Sequence, residues 1–291
     1  MASAQCPKCG FVTSIADELC PRCNTELKKT PSSAYNETAY TTDEPQNPTV
    51  KIEPHVRVGN VLSAALSLYF KNFWLIAKLV FVIFAPFEIF KALTISADEQ
   101  RLQVVVLAGF LGLVCKALIA PALIYSLYRM IQTGVTPSLN EAYRWGLSRL
   151  GTFCLSVAMV WILETIGTIL CIIPGVIIGL GLDPVYSMAT LENRGPVEIL
   201  KRSWKITDGY KGNIFVALLV MGLLTAVVHI PAAIGGAFIA RSSHLWPIEA
   251  LLALIVDLAG EAPTVLSLVI YLSILASQSR STRLPQHLPI P

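Results

Sequence analysis

Charge is what this sequence has least of. Asp, Glu, Lys and Arg make up 14% of its 291 residues, against about 25% in a soluble domain. That scarcity excludes a disordered chain and a charge-rich coiled coil. The 22 Lys and Arg against 19 Asp and Glu leave a net charge of only +3, which excludes a nucleic-acid binder driven by overall charge. The first residues hold Cys6, Pro7, Lys8 and Cys9 in place of an apolar leader, so no secretory signal is expected there. No nucleophile–base set, Gly-rich phosphate loop or membrane-embedded metal motif stands out. What is abundant is apolar: 54% of the residues are hydrophobic, and the mean hydropathy is +0.62. The expected fold is an all-α integral membrane bundle of about six transmembrane helices, with cytoplasmic amphipathic helices beside it and a small separate segment in front.

The scarce charge is also uneven. Residues 1–57 carry 13 of the charged residues and six of the 18 prolines. Within this polar head, Cys6-Pro7-Lys8-Cys9-Gly10 is followed by Cys20-Pro21-Arg22-Cys23-Asn24. Two CxxC pairs supply four thiolates, the donor set of a closed tetrahedral zinc site, and the two-residue spacer lets both sulfurs of a pair reach one ion. Gly10 and Asn24 tolerate the sharp turn after each pair. A redox CxxC is the rival, but it calls for one pair beside a βαβ unit. The reading is therefore structural Zn2+ held by Cys6, Cys9, Cys20 and Cys23. Residues 1–27 then form a small zinc ribbon, and residues 28–55, rich in Ser, Thr and Pro, form a flexible linker. The ribbon offers a docking point for a cytoplasmic protein partner; nucleic acid is not expected.

Residues 56–278 read as a polytopic membrane domain, followed by a cytoplasmic tail, 279–291. Six spans are expected: 73–93, 102–127, 152–173, 176–191, 213–240 and 248–276. The fourth is broken at Asp183-Pro184, and the sixth contains Asp257, Glu261 and Pro263. Pro174-Gly175 is expected to end the third. Lys and Arg in the segments between spans number 5, 1, 3, 0, 5, 1 and 2 in chain order. By the positive-inside rule this alternation puts both termini in the cytoplasm. There, a reducing compartment keeps the thiolates free for metal.

Three spans follow an amphipathic stretch, at residues 56–72, 138–150 and 196–208. Ser138-x-x-Glu141 is a capping box. In the third stretch Val197, Leu200 and Trp204 share one side, opposite Glu198, Lys201, Arg202 and Lys205. Lys201, Arg202 and Lys205, with Trp204 as anchor, are candidates for anionic lipid head groups; a helix that merely sets topology is the alternative. The ionisable residues inside the spans, Lys116, Glu164, Asp183, Asp257 and Glu261, are candidate functional groups by default. The structural alternative is a Lys116–Glu164 or Lys116–Asp257 pair that fixes helix packing. Glu88 and His229 lie in similar apolar surroundings. His229 reads as a hydrogen bonder at a kink before Pro231.

The segments Ile173-Pro174-Gly175-Val176, Pro184-Val185-Tyr186, Leu191-Glu192 and Leu200-Lys201-Arg202-Ser203-Trp204-Lys205-Ile206-Thr207, ahead of Gly212-Asn213-Ile214-Phe215, form a pattern. It resembles that of the glycerophosphoryl diester phosphodiesterase membrane-domain family and its stand-alone bacterial relatives of unknown function. The resemblance covers about residues 56–278 and implies some six spans. The spacer Asp208-Gly209-Tyr210-Lys211 is longer than the pattern. The family's catalytic TIM barrel needs about 250 residues, which the ribbon and linker cannot supply. No hydrolase activity is carried over. The function expected is that of a non-catalytic scaffold or envelope-homeostasis component; the alternative is a transporter or lipid-handling protein that uses the intramembrane charges.

Overall fold

The computed structural model describes residues 3–5, 12–14, 57–95, 102–239 and 246–281. The chain divides into two compact units, Met1–Pro45 and Gln46–Pro291. The first contains an antiparallel strand pair, β1 (Ser3–Gln5) with β2 (Val12–Ser14), in the register Ser3↔Ser14, Ala4↔Thr13, Gln5↔Val12. The six residues that join the strands in sequence include Cys6 and Cys9. Cys6, Cys9, Cys20 and Cys23, the linker and residues 282–291 lie outside the described residues.

The second unit is helical throughout its described elements. Its helices are α1 (Val58–Lys71), α2 (Phe73–Ile95), α3 (Leu102–Thr133), α4 (Leu139–Leu170), α5 (Ile172–Leu182), α6 (Val185–Leu191), α7 (Pro196–Ile206), α8 (Lys211–Ile239), α9 (Trp246–Gly260) and α10 (Ala262–Ser281). Six stretches are long and apolar enough to cross a membrane. Four lie in α2, α3, α4 and α8; α5 with α6 make the fourth, and α9 with α10 the sixth. The chain is accordingly a multipass membrane protein in architecture. Its outer surface carries the large apolar side chains that lipid would cover, among them Phe81, Trp161, Val227 and Phe238.

The core is built around α10. Val265, Leu266, Leu268, Val269, Ile270 and Ile274 are each almost fully buried, and α10 packs against α1, α3, α6 and α8. Burial on all sides explains why α10 reads as apolar with small polar insertions, not as a helix with one wet face. α1 sits within this core: Val61, Ala65, Leu68 and Tyr69 are buried, and only the break at Asn72 separates it from α2.

Two expectations change. The stretch 138–150 is not a separate helix before the third span: Ser138 caps a single helix that runs to Leu170, its hydroxyl accepting from the Glu141 N–H at 3.3 Å. The inward face there is Ala142 and Gly146, and Leu147 is exposed. Small residues win that face because α4 lies close against α3; a Cβ on Gly146 would be 3.3 Å from the Ala122 nitrogen. The third span ends at Cys171, ahead of Pro174-Gly175, and Pro174 falls in the first turn of α5, where its missing N–H breaks no helical bond. Gly175 is needed for the approach of α4 to α5: a Cβ there would lie 2.3 Å from Thr168 Oγ1.

Candidate functional site

Two of the six spans are interrupted, and the candidate residues gather at the interruptions. In the fourth, α5 stops at Leu182 and α6 starts at Val185, with Asp183 and Pro184 between. Pro184 has no N–H to donate, so the regular ladder cannot pass through it. The exposed carbonyls are taken up by hydroxyls from other helices. Ser203 and Thr207 of α7 donate to the Gly181 carbonyl at 2.9 and 3.2 Å, and Ser267 of α10 donates to the Asp183 carbonyl at 2.9 Å. Trp204 closes over the same place: a Cβ on Gly181 would stand 2.4 Å from Trp204 Cε3. Glu164 lies nearby, its Oε1 3.0 Å from where a Cβ on Gly179 would be, and it interacts electrostatically with Asp183.

The sixth span breaks at Glu261, between α9 and α10. The Glu261 N–H turns back to the Leu258 carbonyl at 3.2 Å. The same carbonyl accepts the Tyr69 hydroxyl of α1 at 2.9 Å. Glu261 is 5% exposed, and its Oε2 has no hydrogen-bond partner; Asp257 Oδ2, one turn earlier, is likewise buried and unbonded. Asp257 interacts electrostatically with Glu88, Lys116, Lys91 and His229, and Glu261 with Lys116 and Asp257. Glu88, 3% exposed, forms an ion pair with Lys91 one turn on. His229 of α8 bonds the Thr225 carbonyl through Nδ1 at 2.8 Å, as a helix-kink hydrogen bonder should. Its Nε2 faces the break, 3.9 Å from where a Cβ on Gly260 would be.

Lys116 therefore belongs with Asp257 and Glu261, and Glu164 belongs with Asp183. Neither expected ion pair, Lys116–Glu164 or Lys116–Asp257, forms among the described residues: Lys116 is exposed and acts on Asp257 and Glu261 only at a distance. No group of three or more His, Cys, Asp or Glu side chains among the described residues is placed to hold a metal ion.

The head-group candidates lie on α7. That helix buries Ile199, Leu200, Ser203 and Ile206, a face rotated from the one expected. Val197, Lys201, Trp204 and Lys205 share the exposed stripe, at i, i+4, i+7 and i+8. Trp204 is 41% exposed, and the Lys211 ammonium stands 3.8 Å from its ring centroid. Arg202 departs from this set. Its Nε donates to Glu192 Oε1 at 3.1 Å, the oxygen that also accepts the Tyr271 hydroxyl at 2.8 Å. Arg194 lies 3.0 Å from the other oxygen of Glu192. Glu192 thus joins α7 to α10, a role that sequence reasoning missed. The signal was an acid at the end of an apolar run with Arg194 and Arg202 close by. Beside α7, Gly195, Pro196, Val197, Glu198 and Lys201 line an open depression of about 410 Å³. Compared with known proteins, the chain matches no family model, no curated protein and no solved structure.

Proposed function

We propose that this chain is a non-catalytic scaffold of the bacterial inner membrane, in which a cytoplasmic zinc ribbon recruits a protein partner and the helical bundle holds it at the membrane. The observation that carries the reading is the β1–β2 pair. It flanks the first CxxC in sequence, so Cys6 and Cys9 fall in the connection of a two-stranded hairpin. That is where a zinc knuckle needs its first two thiolates, and Cys20 and Cys23 supply the remainder of a tetrahedral set. A segment this short buries too little apolar surface to fold alone, so the metal supplies its stability. The exposed Lys201, Trp204 and Lys205 of α7 suit contact with anionic head groups. The likeness to the stand-alone relatives of the phosphodiesterase membrane-domain family fits a bundle without a catalytic barrel.

Metal analysis of the full-length protein tests the ribbon. One zinc per chain is expected. Cys9→Ser or Cys23→Ser should release it and unfold residues 1–27 with the bundle's helical signal unchanged. One zinc per chain retained after both CxxC pairs are removed would contradict the assignment. A reporter fused at Gly195 should report the cytoplasm; an outside signal would invert the topology. A second reading, transport or lipid handling through the intramembrane charges, draws its support from the unbonded carboxyl oxygens of the sixth span. Uptake assays in proteoliposomes test it.

A further inference from the structure

Acceptors outnumber free donors at the break in the sixth span. Three acceptors gather there. Asp257 Oδ2 and Glu261 Oε2 are buried and unbonded. His229 adds a third, because a carbonyl only accepts: the bond to Thr225 O makes Nδ1 the protonated nitrogen of the neutral ring. Nε2 then carries a lone pair, and it faces Gly260, next to Glu261.

The nearby donors are already committed. The Tyr69 hydroxyl bonds the Leu258 carbonyl, and Thr264 bonds the Glu261 carboxyl and still leaves Oε2 without a partner. On α2, Lys91 is paired with Glu88. On α3, Lys116 acts only at a distance, without an ion pair to either acid among the described residues, and Cys115 feels both Asp257 and Glu88. The charges are one short of balance: Glu88, Asp257 and Glu261 face Lys91 and Lys116. A membrane interior penalises both an unbonded acceptor and an uncompensated charge.

One proton removes both deficits. Placed on Glu261 Oε2 or Asp257 Oδ2, it turns one acceptor into a donor to its neighbour and brings three carboxyls and two ammonium groups to zero net charge. We propose that the α9–α10 break is an intramembrane proton-binding site, in which Glu261 and Asp257 hold one exchangeable proton and His229 Nε2 is the adjacent acceptor. The site uses the residues of the transport reading but does not require transport. A failed uptake assay and a failed titration of the site are therefore separate results.

Infrared difference spectroscopy of the full-length protein in lipid nanodiscs, titrated between about pH 5 and pH 8, reads the proton directly. A protonated-carboxyl C=O band should be present, should shift in D2O, and should move on selective 13C labelling of glutamate or aspartate carboxyls in the unsubstituted protein. Glu261→Gln and Asp257→Asn together should remove the intensity of one carboxyl per chain, whereas Glu164→Gln, at the other break, should leave that component in place. Absence of any protonated-carboxyl band in the unsubstituted protein would overturn the proposal, as would a band that survives the double substitution intact. A band abolished by added sodium ions at constant pH would also overturn it, because the site would then hold a metal cation.

Discussion

The fourth and sixth spans carry the same interruption in sequence, an acid followed closely by proline inside an apolar run, Asp183-Pro184 in one and Glu261-Ala262-Pro263 in the other. Their surroundings differ. At the fourth, three hydroxyls donate to two carbonyls and an indole covers Gly181, so the backbone is satisfied and the joint is closed by packing. At the sixth, one hydroxyl caps one carbonyl, while two carboxyl oxygens and an imidazole nitrogen converge without donors. A proline break in a membrane helix is tolerated wherever neighbouring groups take over the freed backbone. Each break leaves a buried carboxyl oxygen unbonded, Asp183 Oδ2 at the fourth and both Asp257 Oδ2 and Glu261 Oε2 at the sixth; the sixth differs in holding two of them close to the His229 ring.

The two glycines beside the breaks should show the largest contrast. Gly181→Ala forces a Cβ into the Trp204 ring and should destabilise by about 1–3 kcal/mol. Gly260→Ala meets nothing nearer than His229 Nε2 at 3.9 Å and should change stability by no more than about 0.5 kcal/mol. Thermal unfolding in nanodiscs measures both; equal losses would erase the distinction. Next in size, Ser203→Ala with Thr207→Val should cost about 1–3 kcal/mol, because the Gly181 carbonyl loses both donors. Either substitution alone should cost less than half of that, since one hydroxyl remains.

Much of this frame is legible in the sequence. The six spans and the interruption of the fourth follow from hydropathy, length and the position of proline; the sixth reads as one span that contains Pro263, and its break at Glu261 emerges only in the fold. The partners across the breaks are not legible, because residues far apart in the chain meet only through packing: Tyr69 reaches Leu258 across 189 positions, and Ser267 reaches Asp183 across 84. Position within the spans suits Lys116 to either Glu164 or Asp257. Depth says nothing about which way a side chain faces around its helix; Glu164 acts on Asp183, and Lys116 on Asp257 and Glu261. The face of α7 was misjudged for a related reason. Ser203 and Thr207 are polar by composition, yet they point inward because a broken helix offers them a carbonyl.

Smaller effects probe the sixth break. Tyr69→Phe removes the hydroxyl from the Leu258 carbonyl and should cost about 0.5–1.5 kcal/mol; urea or thermal unfolding of the purified protein checks it. Lys116→Met should be the mildest change, below about 0.5 kcal/mol, because the ammonium is exposed and unpaired among the described residues. A double-mutant cycle should find Lys116 additive with Glu164→Gln and coupled to Asp257→Asn. Coupling to Glu164 would restore the pair that the geometry separates.

Hydrogen–deuterium exchange of the full-length protein in nanodiscs tests the contrast between the two breaks most directly. The amides of Gly181, Leu182, Asp183 and Val185 should exchange slowly, held by α7 and α10. Those of Ala259, Gly260 and Glu261 should exchange faster, and Glu261→Gln should alter their rate without changing that of the fourth break. Equal protection at both breaks, or faster exchange at the fourth, would contradict the account.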